Sequence, residues 1–306
     1  MECYSMCAVI VTYNRMEKLK VCLKAYDAQI LKPQEIIVVN NNSSDGTEQF
    51  LQEWQRRDAD YKKTVITCSV NNGGSGGFYI GLERAIQTKA AWIMVGDDDA
   101  YPDKEAIITI ADTIDNLDAA GKGDCVALCT SVINSGQIAL GHRRNTFTKG
   151  LRIYDKPVPV AAYEKEIFEL NAFTYVGAVM KKEVLKKAGL TRKEFFIYYD
   201  DTEHSLRLSK QGRIICVPKA KFYHDVISDG SINWKKYYDI RNQLMVHKEY
   251  FGKLWLLSIG IQILKALLQP IKGRGPRVMK MRIQAIFDAI EGNLGMHSVY
   301  RPGWKP

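Results

Sequence analysis

The sequence predicts an α/β fold, a mostly parallel sheet with helices on both faces, followed by a helical appendage at the C-terminus. Two observations support this prediction. Strand-like and helix-like patterns alternate over the first hundred residues, and the pattern becomes wholly helical from about residue 233. A length of 306 residues exceeds the common domain size, so it accommodates such a division. We therefore expect a main domain over residues 1–250 and a helical region over residues 251–306.

Short apolar runs mark the predicted strands of the first part of the sheet. These runs are residues 8–12, 35–39, 65–70 and 91–95. Helical patterns follow from Met16, after the turn and cap at Ser44–Thr47, and over Phe78–Thr88. Ligands of such sheets bind beyond the carboxyl ends of the strands. The polar clusters that follow these runs are therefore the candidate site.

The middle of the sequence is less regular. Residues 137–159 are polar and basic, and we interpret them as loops or an insertion over the site. The patterns beyond them predict a strand at 173–180, a short helix at 183–188, a helix at 201–210 and a strand at 214–217. The sequence contains no internal repeat.

The charge of the chain is unevenly distributed. It contains 43 Lys and Arg against 34 Asp and Glu, a formal net charge of +9. Residues 250–306 carry +7 of this surplus, which leaves +2 for the rest of the chain. The basic character therefore belongs to the C-terminal region. It favours an anionic membrane surface over nucleic acid as a partner.

Cysteine usage indicates a reducing compartment. The seven cysteines lie at positions 3, 7, 22, 68, 125, 129 and 216, and none forms a Cys-x-x-Cys pair. This spacing predicts neither a zinc site nor a redox motif, and we expect a cytosolic protein without disulfides. Cys125 and Cys129 flank an apolar run and are expected to be core thiols. The N-terminal residues do not have the pattern of a signal peptide.

Three consecutive carboxylates, Asp97, Asp98 and Asp99, follow the fourth predicted strand. Like charges this close repel one another, so without a cation at least one of them is expected to stay protonated. Asp97 and Asp99 can face the same way in an extended turn and bind one Mn²⁺ or Mg²⁺, completed by the phosphates of a nucleotide diphosphate. The alternative is an acidic cap for a helix that starts near Pro102.

A glycine-rich stretch, Asn71–Gly77, precedes the third predicted helix. Glycines let the backbone approach a ligand closely, and the N–H groups at a helix start attract phosphate. The stretch is not a P-loop, because no Gly-Lys-Ser/Thr follows it. A flexible turn is the alternative interpretation.

Two further polar segments are candidates. Asn40–Asn42 end the second strand, and their amides could read the edge of a nucleotide base; the alternative is a polar turn leading to a helix cap. Residues 195–203 place aromatic side chains before Asp200, Asp201 and Glu203 at a helix start. A carboxylate there, in a partly dry pocket, could act as a general base. Asp201 could equally cap the helix, with Glu203 favourably placed in its first turn.

Together these motifs resemble family 2 glycosyltransferases. The resemblance rests on residues 9–15, 38–47, the Asp-x-Asp of Asp97–Asp99 and residues 199–203, in the order of that family and covering about residues 7–250. It implies the GT-A fold, a Rossmann-like catalytic domain, with a nucleotide-sugar donor, a divalent metal and inversion at the anomeric carbon. Residues 73–78, 237–242 and 287–295 are similar to bacterial galactofuranosyl- and rhamnosyltransferases.

The resemblance implies a role for each candidate residue. Asp201 would be the general base, and Mn²⁺ or Mg²⁺ would be bound by Asp97, Asp99 and His224, a histidine that in isolation is more often structural. The donor, UDP-galactofuranose or dTDP-rhamnose, would be bound by Thr12, Tyr13, Arg15, Asn41, Gly74, Ser75, Gly76, Asp97 and Asp98. The acceptor, a glycan or glycolipid, would contact Phe173, Tyr175, Asp200 and Glu203. Many relatives carry Asp where Asn40 or Asn41 stands, which weakens the implied preference for uracil or thymine.

The C-terminal region predicts two helices. Residues 254–271 are apolar except for a stripe of Ser258, Gln262, Lys265 and Gln269, so an amphipathic helix is favoured over a membrane span. A second helix has Met279, Ile283, Ile286 and Ile290 on one face. The basic residues between them are Lys272, Arg274, Arg277, Lys280 and Arg282. The helices could dock on the inner face of the cell membrane, or pack on the main domain or on a second subunit.

Two other functions compete with a glycosyltransferase. A nucleotidyltransferase also uses acidic metal ligands, but it is expected to carry a glycine-rich basic loop where Thr12–Arg15 stand here. A carbohydrate-binding module would leave Asp97–Asp99 and Asp200–Glu203 unexplained.

Overall fold

The computed structural model describes residues 5–121, 123–225, 231–271 and 273–306, so Cys3 and Lys272 lie outside the described residues. The strands are β1 (Met6–Thr12), β2 (Glu35–Asn40), β3 (Lys62–Thr67), β4 (Trp92–Asp97), β5 (Tyr101–Pro102), β6 (Cys125–Asn134), β7 (Gln137–Ile138), β8 (Arg143–Lys149), β9 (Arg152–Pro157), β10 (Phe168–Leu170), β11 (Ala172–Phe173), β12 (Ala178–Lys181) and β13 (Arg213–Tyr223). The helices are α1 (Met16–Asp27), α2 (Thr47–Arg56), α3 (Gly73–Ala85), α4 (Ala106–Ala119), α5 (Lys182–Ala188), α6 (Asp200–Leu208), α7 (Lys235–Tyr250), α8 (Trp255–Leu267) and α9 (Pro276–Glu291).

The main sheet has the predicted mixed α/β architecture. Its strand order is β10-β13-β6-β12-β4-β1-β2-β3, with β5 paired to β13 and β7 to β6. The β1–β2, β2–β3, β1–β4 and β6–β13 pairs are parallel, whereas β12 runs antiparallel between β4 and β6. The strands β1, β2 and β4 therefore end at the same edge of the sheet.

Both faces of the sheet are covered, as its apolar runs predict. Along β1, Met6, Ala8 and Ile10 pack in one core with α1, α2 and α4, whereas Cys7 and Val9 pack in a second core with α3, α5 and α6. Successive residues of a strand point to opposite faces, so a strand buried on both sides is apolar at every position.

The glycine-rich stretch is not the loop that its composition suggested. Helix α3 begins at Gly73, so most of the stretch forms its first turns. A Cβ at Gly77 would lie 2.5 Å from Val11 Cγ1, and one at Gly81 would lie 2.3 Å from Val9 Cγ1. These glycines therefore allow α3 to contact β1 closely.

The middle of the chain is more regular than the sequence indicated. Residues 143–157, part of the stretch expected to be loops or an insertion, form the β8–β9 hairpin, and β11 extends it into an antiparallel three-stranded sheet. The strand predicted over residues 173–180 is divided between β11 and β12. The chain turns between them at Gly177, where φ is +65° and a Cβ would lie 2.3 Å from Thr130 Oγ1. Only glycine adopts this conformation in so little space.

The C-terminal helices share a core with the segment that follows α5. Tyr237, Tyr238 and Leu244 of α7 pack with Met281 and Ala285 of α9, and Phe196 joins the same cluster. The predicted boundary at residue 250 passes between helices α7 and α8, which contact one another, so the division into domains stays a prediction. Among the described residues, no helix is both long and apolar enough to cross a membrane.

Candidate active site

A cleft of about 490 Å³ lies beyond the carboxyl ends of β1, β2 and β4. Most of the predicted site residues line it. The lining residues are Val11, Thr12, Tyr13, Arg15, Asn41, Asn71, Gly73, Gly74, Phe78, Asp97, Asp98, Asp99, His142, Thr174, Tyr175, Val176, Phe196, Ile197, Tyr198, Asp200, Asp201, His224, Trp234, Lys235 and Pro302.

Asp97, Asp99 and His224 meet in this cleft, and we call them the acid–histidine cluster. One ligand atom from each lies within 4.8 Å of the other two, and His224 Nε2 is 3.3 Å from Asp99 Oδ1. Strand β5, which follows the three aspartates, pairs with the end of β13 and so brings His224 to them. The alternative of a helix cap is wrong, because Pro102 lies in β5 and α4 begins only at Ala106.

The electrostatics of the cluster suit a hard divalent cation. Burial and the neighbouring Asp99 charge raise the pKa of Asp97 to about 7. Burial also acts to raise the pKa of Asp99, but the His224 hydrogen bond and the Arg15 charge outweigh it and hold that pKa below its usual range. Two carboxylates and an imidazole that converge within bonding reach of one ion are a donor set that Mn²⁺ accepts.

Asp98 is not a member of this cluster. It accepts a hydrogen bond from Thr12 Oγ1 at 2.7 Å, and Arg15 Nη1 lies 3.3 Å from it and 2.7 Å from Asp99 Oδ2. Burial raises the pKa of Asp98 to about 6, despite the Arg15 charge. Asp98 therefore joins the end of β1 to the loop after β4 and fixes Arg15 at the rim of the cleft.

The side chain of Asn41 also forms hydrogen bonds within the site, to residues 71–73. Its Nδ2 donates to Gly73 O at 2.8 Å and to Asn71 Oδ1 at 3.1 Å, and its Oδ1 accepts from Asn72 N at 2.9 Å. The side chain thus fixes the start of α3 against the end of β2. Tyr13, by contrast, is 38% exposed where it lines the cleft.

The residues of the glycine-rich stretch that are predicted to contact the donor differ in whether they reach the cleft. Gly74 lines the cleft, and a Cβ there would meet no atom within 4 Å. Ser75 and Gly76 are buried in the first turn of α3 and do not line it. The Ser75 hydroxyl is buried and has no hydrogen-bond partner among the described residues.

The segment before α6 has an unusual backbone. Phe196, Tyr198 and Tyr199 have φ values of 66°, 66° and 65°, which non-glycine residues rarely adopt. The carbonyls of this segment accept hydrogen bonds from two residues of α7: Arg241 donates to Phe195 O, and Asn242 Nδ2 donates to the carbonyls of Phe195, Ile197 and Tyr198. Such a conformation persists only where the surroundings enforce it.

Two neighbouring carboxylates, Asp200 and Asp201, begin α6 at the cleft. Burial and the adjacent Asp201 charge raise the pKa of Asp200 to about 8, which favours its protonated form. Burial also raises the pKa of Asp201, whereas the Arg144 charge and two hydrogen bonds from Thr202 lower it. Of the two, Asp201 is the one that the surroundings favour in its ionised form.

Arg144 of β8 connects the hairpin to this pair. Its Nη2 donates to Thr202 Oγ1 at 2.7 Å, and Nη1 forms an ion pair with Asp155 of β9. Arg144 is therefore held from both sides, close enough to Asp201 to act on its charge.

Two residues predicted to contact an acceptor lie elsewhere, which corrects the prediction for both. Phe173 is fully buried in the second core and does not line the cleft. Glu203 is fully buried in a cluster with Arg207 at 2.8 Å, Arg192 at 3.6 Å and the Tyr250 hydroxyl at 2.8 Å. It therefore anchors α6 to its neighbours. Tyr175 lines the cleft, and its hydroxyl pairs with the buried His204 Nδ1.

Comparison with known sequences identifies the family. Residues 7–170, more than half of the chain, match the profile of glycosyl transferase family 2. The chain belongs to this family.

Individual relatives of this glycosyltransferase are more distant. It is 26% identical over 209 residues to galactofuranosyltransferase GlfT1 of Mycolicibacterium smegmatis, a match covering 67% of the chain and 66% of that protein. It is 25% identical over 309 residues to the dTDP-rhamnosyl transferase RfbF of Shigella flexneri, covering 94% and 96%. The match thus spans just under two thirds of the length of GlfT1.

A solved structure supports the fold of the glycosyltransferase. The crystal structure of GalNAc-T7 with UDP, GalNAc and Mn²⁺ superposes with a TM-score of 0.64 at 15% identity, covering 95% of this chain and 56% of the other. The fold is GT-A, as the sequence motifs implied.

Sequence reasoning missed several residues in the cleft of this glycosyltransferase. His142 Nδ1 lies 2.6 Å from Thr174 Oγ1, and its ring centroid lies 5.4 Å from that of His224. Burial and the nearby Arg143 lower the pKa of His142 to about 3, so the ring is neutral. Lys235 also lines the cleft, at the first residue of α7. Neither residue lies in a motif, so no local pattern could have identified it.

Proposed function

We propose that the protein is an inverting, metal-dependent hexosyltransferase. It moves galactofuranose, or as the second choice rhamnose, from a nucleotide-diphosphate sugar to a sugar hydroxyl. The observation that carries the proposal is that one cleft holds both the acid–histidine cluster and the Asp200–Asp201 pair. The two sugars are those named in the descriptions of the relatives from M. smegmatis and S. flexneri.

The acid–histidine cluster is the metal site of this proposal. Asp97, Asp99 and His224 bind Mn²⁺ or Mg²⁺, and the fit is supported by the convergence of their ligand atoms. The bound cation supplies positive charge that stabilises the leaving diphosphate. Arg15 and Lys235, which line the same cleft, add positive charge from the protein itself.

The donor lies along the carboxyl ends of β1 and β2 and the first turn of α3. Tyr13 and Gly74 border it directly, and Arg15 reaches its phosphates. The hydrogen bond between Thr12 and Asp98 fixes the end of β1 beneath the donor. Asn41 borders the donor and holds the start of α3 through its hydrogen bond to Gly73 O. Ser75 and Gly76 act on the donor only through the position of α3.

Asp201 is the general base of the proposed reaction. It takes the proton from the acceptor hydroxyl as that oxygen attacks the anomeric carbon from the side opposite the diphosphate. The C–O bond to the acceptor forms as the bond to the diphosphate oxygen breaks, so the configuration inverts and no enzyme-bound sugar forms. In its protonated form, Asp200 donates a hydrogen bond to the acceptor, and Tyr175 lines the cleft beside it.

The proposed acceptor is a growing cell-surface polysaccharide attached to a lipid. An enzyme that extends such a chain works in the cytoplasm at the inner face of the cell membrane, where both the nucleotide sugar and the lipid carrier are available. The basic surplus of residues 250–306 supports this location.

The test is release of nucleoside diphosphate from UDP-galactofuranose and dTDP-rhamnose, each with an acceptor sugar, with Mn²⁺ or with EDTA. We expect release from one donor only, abolished by EDTA. Asp99→Ala should remove the Mn²⁺-dependent thermal shift caused by the donor, whereas Asp112→Ala, an exposed carboxylate of α4, should not. No release from any nucleotide sugar would contradict the proposal and favour a binding module. Unchanged donor binding by Asp99→Ala would contradict the metal role.

A further inference from the structure

Helix α8 lies on the protein with its apolar side facing solvent. Its exposed residues form one face, which we call the outer face of α8. They are Leu256, Leu257, Ile261, Ile263, Leu264 and Leu267. Four of these six are more than half exposed, and the residues recur at spacings of three and four along the helix. A helix packed on a soluble domain normally buries such a face.

The opposite side of α8 packs on the rest of the protein through Ile259, Ala266 and two polar side chains. Gln262 is buried and accepts a hydrogen bond from Arg282 Nη1 of α9 at 3.4 Å, and its Nε2 donates to Gln243 Oε1 of α7 at 2.8 Å. Ser258 Oγ lies 2.8 Å from His247 Nδ1 of α7. The orientation of α8 is therefore fixed by paired polar groups, and turning the helix over would leave them unpaired.

The charged residues of the chain segment that contains the outer face are all basic. Residues 251–287 contain seven Lys and Arg and no Asp or Glu. Lys253 precedes the helix, Lys265 lies on it, and Arg274, Arg277 and Lys280 follow it; all five are exposed. An apolar stripe with cations around it matches a bilayer that carries anionic headgroups.

We propose that the outer face of α8 docks in the plane of an anionic lipid bilayer. The leucine and isoleucine side chains enter the boundary of the acyl chains, and the basic residues contact the headgroups. The charges decide against a second copy of this chain as the occupant, because two such faces would oppose cation to cation without an acid in residues 251–287.

The docked helix α8 is close to the segment that precedes Asp200. Gln243, which pairs with Gln262 of α8, donates through its Nε2 to the Tyr199 hydroxyl at 2.8 Å, and Tyr199 precedes Asp200. Three side chains, those of Gln262, Gln243 and Tyr199, thus connect α8 to the start of α6. This step, which assigns the membrane as the source of the acceptor, rests on the proposed function; the docking itself does not.

The experiment is flotation of the full chain with vesicles of phosphatidylcholine, alone or with phosphatidylglycerol. We expect flotation with the anionic vesicles that weakens in high salt. The variant Ile261→Glu/Leu264→Glu should bind them about tenfold less, because it places two charges in the apolar face. The matched control is Leu151→Glu at the β8–β9 turn, which is 72% exposed and should float like the wild type. Arg277→Glu/Lys280→Glu should also reduce flotation, whereas Lys89→Glu should not.

Three outcomes would overturn the docking proposal. One is equal flotation of the wild type and the Ile261→Glu/Leu264→Glu variant, and another is no flotation of the wild type. The third is a wild-type dimer in sedimentation that the same variant dissociates, because the face would then join two copies. Thermal melting verifies that each variant is folded. Flotation needs no donor, so a protein that floats but releases no nucleoside diphosphate would refute the proposed function and leave docking intact.

Discussion

The two halves of the cleft are built in different ways. The acid–histidine cluster lies where β4 and β13 end, and the strand pairing through β5 positions it. The segment before Asp201 has no strand to hold it, and it bends through three positive φ values at Phe196, Tyr198 and Tyr199. The first half is thus a property of the sheet, whereas the second depends on contacts from distant parts of the chain.

Hydrogen bonds from α7 connect the second half of the cleft to residues near the C-terminus. Arg241 and Asn242 donate to the carbonyls of the segment, and Arg241 Nη1 also donates to Gly295 O at 2.8 Å. Tyr237 of the same helix donates to Asp288 of α9 at 2.6 Å. The residues near the C-terminus therefore support the segment before Asp200. These contacts lie in residues 237–242 and 287–295, the two segments that resemble galactofuranosyl- and rhamnosyltransferases in the sequence.

The largest expected effect is a loss of kcat that leaves donor binding unchanged, because the change affects only one half of the cleft. Asp201→Asn removes the proposed base and should lower kcat about 1000-fold, within the range typical of general-base catalysis. Donor binding with Mn²⁺, measured by calorimetry, should be unchanged, because the acid–histidine cluster is intact. Asp200→Asn is the control: since the pKa of Asp200 is about 8, the amide resembles its protonated form, and the loss should be much smaller. Loss of donor binding by Asp201→Asn, or equal losses in both variants, would contradict the assignment of the base.

A smaller effect is expected when the hydrogen bonds that support the segment before Asp200 are removed. Asn242→Ala removes the donor to the Phe195, Ile197 and Tyr198 carbonyls, and each unpaired buried group costs about 1–3 kcal/mol. We expect a lower melting temperature and a kcat reduced about 10- to 100-fold, with the donor affinity retained. Asn116→Ala, at an exposed position of α4, should change neither quantity. A loss of donor affinity equal to the loss of kcat would mean that the two halves are not independent.

The difference between the halves also explains what the sequence could predict. Asp97–Asp99 follow a buried apolar run, so the strand pattern places them at the carboxyl edge of the sheet. Glu203 was misplaced because positions 201 and 203 are two apart on a helix and do not share a face. Arg144 and His142 could not be found, since their approach to α6 and His224 depends on the hairpin and sheet packing. The glycines of α3 were interpreted through phosphate binding, although close contact with β1 also requires glycine.

The smallest expected effect is a change in the pH profile that tests how the hairpin acts on the base. The Arg144 charge lowers the pKa of Asp201, which burial raises. Asp201 must be ionised to accept a proton, so activity is present above its pKa and is lost as the pH falls through it. Arg144→Gln should therefore move the acidic limb of kcat/KM upward by about one pH unit, costing about tenfold below the limb and little above it. Arg152→Gln, an exposed residue of the same hairpin, should leave the limb in place. A uniform loss at every pH would instead assign Arg144 a purely structural role, because only a change in the charge around Asp201 displaces the limb.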